Sequence, residues 1–199
     1  MPKLSASHRL RIGRYDEPNR LYLLTANTLH REPVFRDFAL GKLVGDQFRN
    51  AEELGFADSL AWVVMPDHFH WLIDLKQGSL SELMQRTKSL SARAVNTAAG
   101  RKGTLWQHGF HDRALRREDD LVQMARYVVA NPLRAGLVQR FSDYPLWHAI
   151  LADGQTESLH SRAGSLPQEN AFQMWERACS RSGSPDLTDP AHTPSTPTG

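Results

Sequence analysis

Two histidines two residues apart, His68-Phe69-His70, sit inside an otherwise apolar run, VVMPDHFHWLI. In an extended segment, residues two apart point to the same side, so both imidazoles face one site while Phe69 faces the opposite layer. Imidazole is a common metal ligand, and a pair on a rigid strand makes half of a metal site. The plainer alternative is a pair of packed core histidines, which predicts burial and no ligand role. A tyrosine offers a second kind of chemistry. Leu121, Met124, Ala125, Val128 and Val129 form the apolar stripe of a helix. At about 100° per residue, Tyr127 falls roughly 130° from the middle of that stripe. Gln123, Tyr127 and Asn131 recur every fourth residue along one polar flank. A phenol presented this way can attack phosphorus and later leave, which splits a strand transfer into two reversible steps. A metal nearby can polarise the phosphate and stabilise the departing oxygen. The competing role for a helical tyrosine is a core ring with its hydroxyl at the surface.

The flanking sequence supplies elements that can hold these groups. Leu21–Thr28 (LYLLTANT) reads as a first strand. Phe38, Leu43, Val44, Phe48 and Leu54 share one helical face that closes at Gly55. Leu60–Met65 and Phe69–Leu75 are strand segments separated by Pro66-Asp67, where proline argues for a turn or bulge. Ser79 and Glu82 have the spacing of a capping box, starting a second helix that runs to about Ala98. Phe110–Arg117 predicts another strand. Glu118, Asp119 and Asp120 favour the N-terminus of a third helix, which Pro132 ends. The order β-α-β-β-α-β matches a ferredoxin-like split βαβ, an antiparallel sheet with helices on one face, followed by a C-terminal helix carrying Tyr127. The fold class is α+β.

Composition narrows the function classes. With 40% hydrophobic and 23% charged residues, the 199-residue chain has a globular composition and can bury a core. No stretch reaches the ~18 uninterrupted apolar residues of a membrane span, and MPKLSASHRLRIGRY has no apolar centre for a secretory signal. One cysteine, Cys179, excludes an intrachain disulfide and a cysteine-rich zinc site. The expected compartment is the cytoplasm. Residues 1–150 carry 21 Lys+Arg against 16 Asp+Glu, or +5, and residues 151–199 carry 3 against 6, or −3. A basic front half suits a polyanion partner. The expected organisation is a basic arm over 1–20, a catalytic domain over 21–150, an extension over 151–179 and a disordered Pro/Ser/Thr-rich tail over 180–199.

VVMPDHFHWLI, WQHGFHDRALR and YVVANPLRAGLV, with GRY near the start and an Arg-Glu-Pro-Val-Phe stretch after the first strand, resemble the REP-associated tyrosine transposases. These belong to the single-tyrosine group of the histidine-hydrophobe-histidine (HUH) endonucleases. The resemblance covers about residues 11–147 in the same order. It implies that His68 and His70 bind the metal, that Tyr127 is the nucleophile and that Asn131 is a third metal ligand. It also implies Mg²⁺ or Mn²⁺ as cofactor, whereas ligand softness alone would favour Zn²⁺ or another transition metal for imidazoles. The implied reaction cleaves single-stranded DNA beside a hairpin, leaving a 5′-phosphotyrosine and a free 3′-OH. A monomer is expected rather than a helix-swapped homodimer. One departure is Leu146-Trp147-His148-Ala149 after Tyr144-Pro145, where relatives often read Trp-Ser-Ser.

Arg14, Arg113, Arg116 and Arg117 are candidates for phosphate or guanine contacts, since arginine binds both bidentately. Each could equally be a solvated surface arginine. Trp106 and Phe110 could stack on bases or pack in the core. Two rival functions stand beside the nuclease. A hairpin-binding protein that had lost turnover would be expected to have released at least one of His68, His70, Tyr127 and Asn131. A hydrolase without a covalent intermediate leaves the placement of Tyr127 unexplained. If the basic arm grips DNA, deleting residues 1–12 removes Lys3, Arg9 and Arg11. That deletion flattens the slope of log affinity against log salt by roughly 2, at ~0.7 per phosphate on single strands. Fluorescence anisotropy over a salt series measures it, with deletion of residues 182–199 as the neutral comparison.

Overall fold

The computed structural model describes residues 18–115, 121–140 and 143–150. Strand β1 (Arg20–Asn27) leads through two 3₁₀ turns, Leu29–Arg31 and Val34–Arg36, into helix α1 (Phe38–Glu53). Strands β2 (Ala57–Met65) and β3 (His68–Leu75) form a hairpin, followed by helix α2 (Leu80–Ala98) and the short strand β4 (His111–Ala114). Helices α3 (Leu121–Val129) and α4 (Asn131–Arg134) and the edge strand β5 (Trp147–Ala149) complete the order. All pairings are antiparallel, in the order β4-β1-β3-β2-β5. The first four strands are the predicted ferredoxin-like sheet, and the class is α+β as expected.

The local signals act as their chemistry requires. Asp37 caps α1 by accepting from the Ala39 amide. Ser79 and Glu82 form the complete capping box of α2. Gly55 stops the first helix with φ of 72°, a left-handed conformation that costs glycine little. Pro66 and Asp67 occupy the two-residue turn between β2 and β3.

Alternation along β3 then divides the sheet into two faces. Phe69 and Trp71 point to α1, where Phe48 meets them at ring distances of 5.0 and 4.5 Å. Trp106 closes this layer against Phe69 and Phe35 at 5.3 and 5.4 Å. Close packing of α1 depends on Gly45, where an added Cβ would lie 2.9 Å from the Trp62 ring. His68 and His70 point to the other face, over which α3 packs on β2 and β3.

Three features differ from the sequence expectations. The strand predicted over Phe110–Arg117 extends only over His111–Ala114 among the described residues. The chain does not stop being helical at Pro132. It breaks at Ala130 and restarts as α4 with proline in its first turn, where a missing amide hydrogen does no harm. Leu121, placed on the apolar stripe, is exposed, and the buried residues of α3 are Ala125, Val128 and Val129. The arm begins the sheet at Arg20, while the rest of it up to residue 17, the 151–179 extension and the 180–199 tail lie outside the described residues.

Strand β5 is anchored from its N-terminal side. Tyr144 donates its hydroxyl hydrogen to the Val64 carbonyl at 2.8 Å, and the Val64 amide donates to Leu146 O at 2.9 Å. Burial, assisted by the Asp67 charge, pushes the Tyr144 phenol up to about 12. An unfolded tyrosine ionises near 10. Its contribution to stability is therefore complete below about pH 10 and declines between about 10 and 12, by ~1.4 kcal/mol per pH unit. Tyr144→Phe should cost ~1–3 kcal/mol at neutral pH and should remove this alkaline decline. Urea unfolding of both proteins from neutral pH to about pH 11 tests it, and parallel declines would show that Tyr144 is not the group responsible.

Candidate active site

The two imidazoles stand edge to face, with ring centroids 4.9 Å apart. Each ring has its Nδ1 committed. His68 Nδ1 donates to Asp67 Oδ1 at 2.6 Å, and Asp67 Oδ2 is paired with Arg31 Nε at 2.9 Å. His70 Nδ1 lies 2.8 Å from the Thr25 hydroxyl, to which it donates in the tautomer carrying the Nδ1 hydrogen. Thr25 sits directly opposite His70 in the β1–β3 register, which is what brings the pair together. With Nδ1 engaged, Nε2 is the nitrogen each ring has for a metal, the arrangement that usually fixes ligand histidines.

Electrostatics favour the same state. Burial holds His70 well below its ordinary value, and the charges of His68, Arg134 and Arg31 push in the same direction. A neutral imidazole is the form that ligates. Burial alone would raise the Asp67 carboxyl, but the His68 hydrogen bond and the charges of His68 and Arg31 hold it below the usual carboxylate value. It therefore stays an acceptor for His68.

Asn131 is buried at the start of α4. Its Nδ2 donates to Val128 O at 2.9 Å and Tyr127 O at 3.2 Å, while Oδ1 accepts from Arg134 Nη2 at 2.9 Å. A carbonyl oxygen has two lone pairs, so this acceptor can also serve a metal. Among the described residues, no three of His, Cys, Asp and Glu cluster to hold one. The candidate donor set is thus two imidazoles and one amide, ligand types that would suit a divalent ion with positions left for water or phosphate.

Tyr127 lies on α3, half-buried and packed against the edge of the core rather than fully presented. Of the chain's 4 tyrosines, Tyr22 and Tyr144 are buried in the core, and Tyr15 is outside the described residues. Arg113 is exposed on β4, opposite Leu23 of β1, which places it on the histidine face. Arg14, Arg116 and Arg117 lie outside the described residues. Trp106 is a core ring whose Nε1 donates to Ser91, so it is not a base platform. Lys88 donates to the Gln107 and Gly109 carbonyls and ties down the loop before β4. His111 shares a row and a face with Thr25 and His70, although Thr25 stands between them.

Sequence reasoning did not single out Thr25, Arg31 or Arg134. Only the strand register reveals Thr25, and only the folded turn reveals Arg31. Arg134 carried a signal: it is seven residues after Tyr127 and three after Asn131, a helical spacing. Taking Pro132 as the helix end concealed it.

A five-stranded antiparallel sheet carries the histidine pair on its central strand, and the tyrosine helix packs over that face. The family model described as "Transposase IS200 like" matches residues 21–131, and the chain belongs to this family. Over 96 residues it is 31% identical to the REP-associated tyrosine transposase of Escherichia coli (strain K12), a match covering 47% of this chain and 56% of that relative. The chain thus spans little more than half the length of that relative. Its fold is similar to that of a REP-associated tyrosine transposase solved bound to a REP hairpin, with a TM-score of 0.56 at 20% identity, covering 93% of this chain and 97% of that one. No helix among the described residues is long and apolar enough to cross a membrane.

His68→Ala and His70→Ala should each lose Mn²⁺ binding, while Phe69→Ala should keep it and lose ~3–5 kcal/mol of stability, as a buried Phe does. Calorimetric titration with Mn²⁺ and urea unfolding separate the two effects. Equal stability losses in all three, with metal binding untouched, would make the histidines packing residues.

Proposed function

We propose that the protein is a metal-dependent single-stranded DNA endonuclease and strand transferase acting beside REP-type palindromic hairpins. The observation that carries this reading is the anchoring of both imidazoles through Nδ1, on the sheet face that the tyrosine helix covers. Membership of the transposase family and the hairpin named for the similar structure support the substrate.

In the proposed reaction the Tyr127 oxygen forms a bond to phosphorus as the bond to the 3′ oxygen breaks. The phenolic proton passes to solvent, and the 3′ oxygen leaves as a hydroxyl by taking up a proton. The product is a 5′-phosphotyrosine, which an incoming 3′-OH reverses to join strands. Mg²⁺ or Mn²⁺, when bound, polarises the phosphate and stabilises charge on the leaving oxygen. His68, His70 and Asn131 hold that ion, Asp67 and Thr25 fix the imidazoles, and Arg113 with Arg14, Arg116 and Arg117 contacts the DNA. The protein acts as a monomer in the cytoplasm.

Labelled hairpin DNA with a single-stranded flank, incubated with protein and Mn²⁺, should give a covalent adduct that survives denaturing electrophoresis. Tyr127→Phe should abolish the adduct and leave hairpin affinity nearly unchanged, because it removes one oxygen from a half-buried position. An adduct persisting in that variant would transfer the role to another residue, Tyr15 first. Hairpin binding without any adduct in the wild type would favour the non-catalytic DNA-binding reading.

A further inference from the structure

Arg134 is held beside the tyrosine by contacts that occupy only part of its guanidinium. Nη2 donates to Tyr127 O at 3.0 Å and to Asn131 Oδ1 at 2.9 Å. The guanidinium carbon lies 3.9 Å from the centroid of the Tyr127 ring. Nε and Nη1 have no hydrogen-bond partner among the described residues, and no carboxylate there pairs with the cation. The charge is partly desolvated, since burial weakens its hold on its proton and Tyr127 only partly offsets this. A fixed cation stacked on the Tyr127 ring thus keeps N–H groups on Nε and Nη1 to spare.

We propose that Arg134 receives the phosphate that Tyr127 attacks, through a single N–H of Nη1 or Nε that the contacts to Tyr127 O and Asn131 Oδ1 leave over. This rests on the nuclease reading above and adds a catalytic residue to it. The Tyr127 oxygen stands at the rim of the ring that the guanidinium covers, so a phosphate approaching that oxygen meets the cation. Two hydrogen bonds and the ring stack fix the plane of the guanidinium before any ligand arrives, which limits the reorganisation needed in the transition state. A charge-assisted hydrogen bond from one of the remaining N–H groups to one phosphate oxygen is shorter and stronger than a neutral one. The competing role is purely structural: a basic side chain capping the carbonyls at the end of α3.

The two roles separate on DNA in which single phosphates lose their charge. The probe is a REP-type hairpin carrying one methylphosphonate, moved in turn along the single-stranded flank. Wild type, Arg134→Ala and Arg134→Lys are compared as full chains with Mn²⁺, by anisotropy for binding and by single-turnover adduct formation. Wild type should lose affinity roughly 10- to 100-fold at one position, the scale of a charge-assisted hydrogen bond. Arg134→Ala should lose a similar factor on unmodified DNA and nothing further at that position, while Arg134→Lys recovers part of it. Thermal melting identifies variants that have not folded, in which case the lysine variant carries the comparison. Equal losses for Arg134→Ala at every position, no loss at all, or no methylphosphonate-sensitive position in wild type would each overturn the proposal. If wild type forms no adduct, the nuclease reading fails, and the binding series still decides whether Arg134 receives a phosphate.

Discussion

Residues two apart on a strand share a face, and on β3 this constraint separates the packed half of the molecule from its reactive half. Phe69 and Trp71 complete an aromatic layer with Phe48 and Trp106. His68 and His70, at the alternate positions, are thereby turned to the opposite face. The apolar side fixes the strand by close packing, where a shift of even one methylene is felt. The histidines inherit that rigidity without any loop to hold them. A one-residue slip in register would exchange the two sets and bury both imidazoles in the aromatic layer.

Rigidity of the strand does not by itself orient a ring, and the neighbouring elements do so unequally. Thr25 comes from the middle of β1 and is buried with His70, so this pair is as well protected as the core. Asp67 comes from the hairpin turn and is braced from outside by Arg31, half of whose side chain is exposed. Arg31 follows His30, and both adopt left-handed backbone with φ of 58° and 55°. Such conformations cost non-glycine residues of order 1–3 kcal/mol each and persist where surrounding contacts determine them. Here the Thr28 hydroxyl donates to Glu32 O and Asp67 O, closing the turn against the hairpin. The strained turn delivers Arg31 to Asp67, and Asp67 to His68.

The sheet was legible in the sequence because its strands are long, apolar and punctuated by Pro66-Asp67, Gly55 and Ser79. The histidine pair was legible because period 2 requires no knowledge of neighbours. Strand β5 was not legible: three residues, Trp147–Ala149, carry no period, and their pairing comes from Tyr144 and Leu146 reaching back to β2. Thr25 is one hydroxyl in an apolar run, and its meaning depends on register across 45 residues. Nothing in the segment around His111 relates it to His70, yet pairing through β1 puts the two on the same face. Long-range register is the information that local pattern lacks.

The end of α3 shows how a local backbone requirement can organise the tyrosine. A proline has no amide hydrogen, so Pro132 cannot make the hydrogen bond that a helix would direct to Val128 O. That carbonyl is buried with its residue and needs a donor. Asn131 Nδ2 supplies it at 2.9 Å and also reaches Tyr127 O. With Nδ2 committed to the backbone, the amide must turn Oδ1 outward, where Arg134 meets it. Arg134 in turn closes on Tyr127 O and on the tyrosine ring. The break at Pro132 thus leads to a fixed amide oxygen, the fixed oxygen to a fixed guanidinium, and the guanidinium to a tyrosine held from its backbone and its ring together. Asn131 is consequently a structural necessity of the break whether or not a metal also uses its oxygen. Its two ends serve the two purposes separately: Nδ2 for the helix and Oδ1 for the site.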